Sequence, residues 1–101
     1  MTTPVVYPNP CKGRDVLVDF TIAQPVKFVS LEIVTDAYRK VHREVVLGNA
    51  AAIGNGNTGF VIGRNTVRLS LGSLRLANGV YYLVVRLPDG TKAIGKLVIL
   101  R

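Results

Sequence analysis

Residues 80–100, VYYLVVRLPDGTKAIGKLVIL, carry the clearest strand and turn pattern of the chain. The first part of this stretch, residues 80–87, is a dense apolar run of the length typical of a buried strand. The segment Pro88-Asp89-Gly90-Thr91 follows, and it favours a tight turn because proline presets φ and glycine accepts a left-handed backbone. In residues 92–100, one alternating face mixes lysine with apolar side chains, which predicts a closing strand with an exposed face. The stretch therefore predicts an antiparallel hairpin.

The same two-residue period recurs upstream of this hairpin. Residues 15–22 and 26–35 each alternate apolar and polar side chains, with Glu32 on the predicted outer face, and both predict half-buried strands. The segment Asp36-Ala37-Tyr38 predicts a turn into a further strand over residues 39–47. This part of the chain is therefore expected to form a second hairpin.

The middle of the chain carries weaker signals. Residues 48–59 are rich in Gly and Asn and lack an apolar period, so they predict a loop in which Asn55-Gly56 suits positive φ. Short strands are predicted at residues 60–62 and 66–71, and a connection ending in a turn at 73–79. About seven strands without any helical period predict an all-β fold, a two-sheet antiparallel sandwich.

Length and composition indicate one folded domain. The chain has 101 residues, 49% hydrophobic and 19% charged, which fits a single compact core and excludes the highly charged class that stays disordered. We expect residues 1–101 to be that domain, with residues 1–6 as a linker from an upstream protein. The start of the chain lacks the basic and apolar regions of a signal peptide, and no apolar run is long enough to span a bilayer. We therefore expect no membrane insertion.

The charge balance is strongly basic. Lys and Arg number 13 against 6 Asp and Glu, giving a net charge of +7, which is compatible with nucleic acid, anionic glycan or lipid headgroups as partners. The basic residues are spread thinly, however, and their only tight group is Arg39, Lys40 and Arg43. A solvated basic face is the better interpretation, and nucleic acid is not the favoured partner.

The sequence offers no set of residues for catalysis or metal binding. His42 lies between cations on an alternating strand, which predicts an exposed histidine without a nearby nucleophile. Asp15 and Asp19 share one strand face and are expected to be solvated. Cys11 cannot form an intrachain disulfide and is expected to be a buried small side chain, with an intermolecular bridge as the alternative. We expect no catalytic residue, no metal, no cofactor and no small-molecule substrate.

Five segments occur in an order and spacing that resemble a known family over nearly the whole chain. They are Tyr7-Pro8-Asn9-Pro10, residues 16–22, residues 29–41, residues 74–82 and residues 96–100. In this order they resemble the C-terminal sorting domain of proteins exported by the type IX secretion system. The pattern is also similar to the Ig-like domain of the flagellar hook-capping protein, which usually carries Trp-Asp-Gly before its Gly-Val-Tyr segment. This chain has no Trp, which favours the sorting type.

The resemblance implies an Ig-like sandwich of about seven strands that serves as a folded address label. Cargo would lie upstream, outer-membrane secretion machinery would recognise the domain, and a sortase would remove it. The protein would pass from the periplasm to the cell surface or medium. The family carries its signal in the Gly-Val-Tyr segment and the last strand, here Gly79, Val80, Tyr81, Lys96, Leu97, Val98, Ile99 and Leu100. The family's turn before Arg39 usually carries Gly, whereas this chain has Tyr38.

Two alternatives remain beside this interpretation. The first is that the same residues are structural, with Gly79 in a turn, Val80, Leu97 and Ile99 in the core, and Tyr81 a packing aromatic. The second is a structural module that pairs with another copy of itself, because a closing strand at a sheet edge has free backbone groups. The partner is therefore expected to be either the secretion machinery or a second copy.

Overall fold

The computed structural model describes residues 1, 3–48, 50–54 and 57–101. Within them the chain is all-β apart from a single 3-10 turn at Gly72–Leu74. The strands are β1 (Val5–Tyr7), β2 (Val16–Ile22), β3 (Phe28–Thr35), β4 (Lys40–Leu47), β5 (Ala50–Gly54), β6 (Asn57–Gly59), β7 (Gly63–Leu69), β8 (Gly79–Arg86) and β9 (Lys92–Ile99). The described residues contain no helix long and apolar enough to cross a membrane.

Seven of these strands form two antiparallel sheets. One sheet has three strands in the order β1-β2-β7, and the other has four in the order β4-β3-β8-β9. The chain crosses between the sheets after β2, between β4 and β7, and after β7. This arrangement confirms the predicted all-β, Ig-like sandwich of about seven strands.

The core lies between the inner faces of the two sheets. Most of its fully buried side chains come from alternate positions of β2, β3, β8 and β9, as the two-residue period predicts, and Leu69 and Leu71 add to them from the end of β7 and the residues after it. Burying one such side chain stabilises the fold by about 1.5–3 kcal/mol. The largest of them are Phe20, Leu31, Ile33, Leu69, Leu71, Leu83, Leu97, Ile99, Val16, Val18, Val29 and Val85.

Both predicted hairpin turns are confirmed. At the β8–β9 turn the Leu87 amide donates to the Thr91 carbonyl at 2.8 Å, and Gly90 has a φ of +90°. At the β3–β4 turn the Thr35 amide donates to the Arg39 carbonyl at 2.9 Å. Tyr38 occupies this second turn with a φ of +62°, a left-handed conformation that favours glycine.

Two predictions for residues 48–62 are wrong. Residues 50–54 and 57–59 pair as the β5–β6 hairpin and are not a loop; Asn55-Gly56 lie outside the described residues. The strand predicted at residues 60–62 is absent, and Phe60 makes only an isolated bridge with Val26. Small side chains such as Gly, Ala and Asn carry little periodic signal, although their backbones pair like any other.

The linker predicted over residues 1–6 is wrong at its C-terminal end. Val5 and Val6 belong to β1, which pairs with β2, and Val6 is buried. Pro4 is also buried, and its backbone lies so close to Gly95 that a side chain there would collide with it. A three-residue strand is too short to show a period, so β1 gives no pattern of its own.

Candidate recognition surface

The β8–β9 ladder brings the proposed signal residues together at one end of the four-stranded sheet. Gly79 is the first residue of β8 and pairs with Ile99, the last residue of β9. Val80 pairs with Val98, and the next position pairs Tyr81 with Leu97. The start of β8 and the end of β9 thus lie side by side, and their side chains form one continuous region that includes both surface and core residues.

Burial divides these residues into two groups. Leu97 and Ile99 are fully buried and Tyr81 is 9% exposed, so they belong to the core. Val80 is 38% exposed, which makes its predicted core position wrong, and Leu100 is 55% exposed. A partner can therefore reach only part of the set.

The accessible residues cluster on the outer face of the four-stranded sheet. Val80 and Val98 are cross-strand partners there, and Lys96 precedes Val98 by one step on the same face of β9. Lys96 is exposed and Val98 is half-buried. We call Val80, Lys96 and Val98 the recognition patch.

Tyr81 has a structural role. Its hydroxyl donates to the Ala77 carbonyl at 2.8 Å, four residues upstream. A tyrosine near the start of a strand that bonds back to the backbone in this way is the tyrosine corner of Ig-like sandwiches. The predicted packing role of Tyr81 is therefore confirmed.

Positive charge extends over the same outer face. Glu32 lies at its centre with a side chain only 8% exposed, beneath Lys40 and Arg43 of β4 and Arg86 of β8. The three cations lie 3.5, 3.6 and 3.9 Å from its carboxylate. One carboxylate balances one of these charges, so the face keeps a positive excess, and Lys96 adds to it.

An aromatic pair lies beside the recognition patch. The rings of Tyr38 and Tyr82 stack with centroids 6.3 Å apart and planes 13° apart. Tyr82 pairs with Lys96 across the β8–β9 ladder, and Tyr38 is 79% exposed. The outer face thus combines aromatic, aliphatic and cationic groups, a composition suited to protein contact.

The outer edge of β9 is covered by the segment that follows β1. The Asn9 side chain donates to the Lys96 carbonyl and accepts from the Val98 amide, both at 2.9 Å. The Cys11 amide donates to the Val98 carbonyl, and its own carbonyl accepts from Leu100, both at 2.8 Å. The alternative of edge pairing through this part of the closing strand is therefore wrong, because its backbone groups already have partners.

Cys11 is 1% exposed, which confirms that it is a buried small side chain and argues against an intermolecular bridge. Tyr-Pro-Asn-Pro thus has a structural function at this position: it places Asn9 and Cys11 along β9. Asparagine carries both an amide donor and a carbonyl acceptor on one side chain, so it can replace one residue of a pairing strand. That donor–acceptor pair was the only signal in the sequence for this role.

A second polar cluster lies on the outer face of the three-stranded sheet. Asp19 of β2 is 7% exposed and accepts hydrogen bonds from the Tyr7 hydroxyl at 3.0 Å, the Thr66 hydroxyl at 2.5 Å and Arg64 Nε at 2.9 Å. The Thr66 hydroxyl, opposed by burial and aided by Arg64 and Tyr7, holds the pKa of Asp19 below its ordinary value. The expectation that Asp19 is solvated is wrong, whereas Asp15 is exposed as predicted.

This cluster links the three strands of its sheet and leaves the Asp19 carboxylate hydrogen-bonded and ionised, a state unsuited to proton transfer near neutral pH.

His42 is half-buried and not exposed as predicted, with Nε2 3.0 Å from Glu44 Oε1. Among the described residues, no three His, Cys, Asp or Glu side chains come together as a metal site.

No family model matches the chain, and no curated protein matches it.

Proposed function

We propose that this chain is a non-catalytic sorting domain of a bacterial exported or cell-surface protein. Outer-membrane secretion machinery would recognise it through the outer face of the four-stranded sheet. The observation that carries the proposal is the position of the proposed signal residues at one end of one ladder. Val80, Lys96 and Val98 form an accessible patch there, over a core that fixes their positions.

The proposal concerns a folded signal. Leu97 and Ile99 are core residues, and Asn9 and Cys11 hold the outer edge of their strand. A partner would therefore bind a preformed surface. Binding would not require a flexible tail to become ordered, so the entropy cost of folding on binding would be avoided.

The test uses residues 1–101 fused to the C-terminus of a periplasmically directed reporter in a host with type IX secretion. Deleting the last strand would remove core residues, so a truncated fusion that is not delivered could simply be unfolded. Substitutions in the patch are sharper: Val80→Thr, Lys96→Glu and Val98→Thr together keep strand-forming residues. We expect the intact fusion to reach the surface and this variant to lose delivery by roughly tenfold, as for a loss of about 1.4 kcal/mol of binding.

The matched control changes the outer face of the other sheet. Val5 is 58% exposed there, and Arg68 is also exposed. Val5→Thr with Arg68→Glu reverses one charge, as the patch variant does, and replaces one valine where the patch variant replaces two. This control should deliver like the unmodified fusion. If the intact fusion stayed in the periplasm, the sorting function would be wrong.

The second candidate function is assembly of copies through a sheet edge. It is favoured by β4, whose only pairing strand among the described residues is β3. A sorting domain acting alone should be monomeric at micromolar concentration, whereas an assembly module should not. Sedimentation over a range of concentrations separates them.

A further inference from the structure

The open edge of the four-stranded sheet is β4. In the order β4-β3-β8-β9, the β9 end is covered by Asn9 and Cys11, whereas β4 pairs only with β3 within the described residues. The three-stranded sheet also ends in a strand, β7, but its outward side chains are Arg64, Thr66 and Arg68. Polar and charged side chains of that kind protect an edge from pairing.

The register identifies which backbone groups of β4 face outward. Gly48 directly follows β4, and its amide donates to the carbonyl of Lys27, the residue before β3, at 2.9 Å. The Gly48 amide therefore points toward β3. Hydrogen-bonding direction alternates along a strand, so the amides of Arg43, Val45 and Leu47 point away from the sheet. Their spacing matches the repeat of an added strand.

The side chains beside this edge are unusually apolar for exposed positions. Val41 is 40% exposed, Val45 53% and Leu47 74%, and Phe28, the cross-strand neighbour of Leu47, is 36% exposed. Exposed β-branched residues beside free backbone groups favour addition of a strand from another chain. Alternate side chains of such a strand would lie against these residues.

The positive charge around this edge favours an acidic partner. Arg39, Lys40 and Arg43 surround its first half, and the whole chain carries a net charge of +7, which opposes pairing with a second copy. When two β4 edges pair in antiparallel fashion, residues whose backbone groups point outward must lie opposite each other. Under this constraint the two registers of longest overlap centre on Arg43 or Glu44, and each sets that residue against its like. We propose that β4 binds an extended acidic segment of another protein as a fifth strand of the sheet. This binding does not depend on the sorting function.

The test is an NMR titration of the isotope-labelled full chain with two synthetic octapeptides. One alternates glutamate with valine, and the other alternates lysine with valine. We expect saturable shifts of the Arg43, Val45 and Leu47 amides with the acidic peptide, and affinity about tenfold weaker for the basic one. Shifts centred on the recognition patch, or no saturable shift, would overturn the proposal.

Two variants at one position separate backbone pairing from side-chain contact. The Val45 amide points away from β3, so Val45→Pro removes a donor of the free edge and breaks no hydrogen bond to β3. Proline is tolerated at such edge positions. It should weaken the acidic peptide about tenfold, whereas Val45→Ala keeps the amide and should weaken it only a few-fold. Equal binding by the proline variant would contradict strand addition.

Charge reversal gives a readout that does not depend on how well the proline variant folds. Arg43→Glu should reverse the preference between the two peptides, because the charge beside the edge changes sign. An unchanged preference would contradict the acidic partner. Dimerisation through β4 without binding of either peptide would mean that the edge serves a second copy and would also overturn the proposal.

Discussion

The side chain of Asn9 accepts a hydrogen bond from the Val98 amide at 2.9 Å, across 89 positions of sequence. A second bond from Asn9 to the Lys96 carbonyl fixes the same stretch of β9. Asn9 thus closes an edge that β9 would otherwise present to solvent or to another chain.

Replacing Asn9 tests this closure. Asn9→Ala removes two hydrogen bonds, each with a net value of about 1 kcal/mol, so we expect the free energy of unfolding to fall by about 1–2 kcal/mol. Urea denaturation measures it. Asn78→Ala is the matched control, because Asn78 accepts a single bond, from the Arg101 amide at 3.0 Å, and should cost about half as much. Equal effects would show that Asn9 has no special role at the edge.

Asp19 should make stability depend on pH. Its pKa in the folded state is lowered from the ordinary value of 3.8, chiefly by the Thr66 hydroxyl, so the folded state binds fewer protons than the unfolded state. The resulting stability is present above pH 3.8 and is lost as the pH falls through the lower folded-state pKa. Denaturation curves between about pH 2 and 5 should therefore show rising stability with pH.

The variant Asp19→Asn should flatten this rise, because the amide does not titrate in that range. Some dependence should remain from Asp89, whose pKa is lowered by hydrogen bonds from Thr91. Asp15→Asn, at an exposed position on the same strand face, is the control and should leave the slope nearly unchanged. The same slope in Asp19→Asn as in the unmodified domain would contradict the assignment.

These contacts also mark the limit of inference from the sequence. The β8–β9 hairpin and the core faces follow from local patterns, since turn residues and alternation act over a few positions. The partners of Asp19 lie elsewhere: Arg64 is 45 positions away and Thr66 is 47. A strand pattern states which face a residue occupies but not which strand lies beside it, so Asp19 looked solvated.

The candidate site lies in β8 and β9 because the resemblance implies it, and that location stays a prediction. Its division between core and surface required the register, which the sequence pattern does not supply. Val80 looks like a core residue by type, yet it begins the outer face of β8. The charge surplus around Glu32 also arises only when β4 and β8 flank β3.

Tyr38 combines a strained backbone with a favourable contact. A left-handed φ costs a non-glycine residue about 1–2 kcal/mol, whereas an aromatic pair contributes about 0.5–1.5 kcal/mol. Tyr38→Gly should therefore change stability little in the natural chain. In a Tyr82→Leu background the stacked pair is already lost. There, Tyr38→Gly should raise the free energy of unfolding by about 0.5–1.5 kcal/mol more than it does in the natural chain. A double-mutant cycle by urea denaturation measures this coupling, and a value near zero would mean that the stacked rings of Tyr38 and Tyr82 contribute nothing.

Leu97 and Leu100 belong to the same proposed signal segment but differ in burial, and this difference separates folding from recognition. Leu97 is fully buried, so Leu97→Ala should lower the free energy of unfolding by about 2–5 kcal/mol, a large share of the roughly 5–15 kcal/mol of a domain. Leu100 is 55% exposed, and Leu100→Ala should change stability by about 0.5 kcal/mol or less. Thermal denaturation of both purified domains checks this before any delivery assay. A loss of delivery in Leu97→Ala then reports on the amount of folded domain, whereas a loss in a fully folded Leu100→Ala variant would extend the recognition patch to the residue that follows β9. Equal destabilisation of the two variants would contradict the burial that separates them.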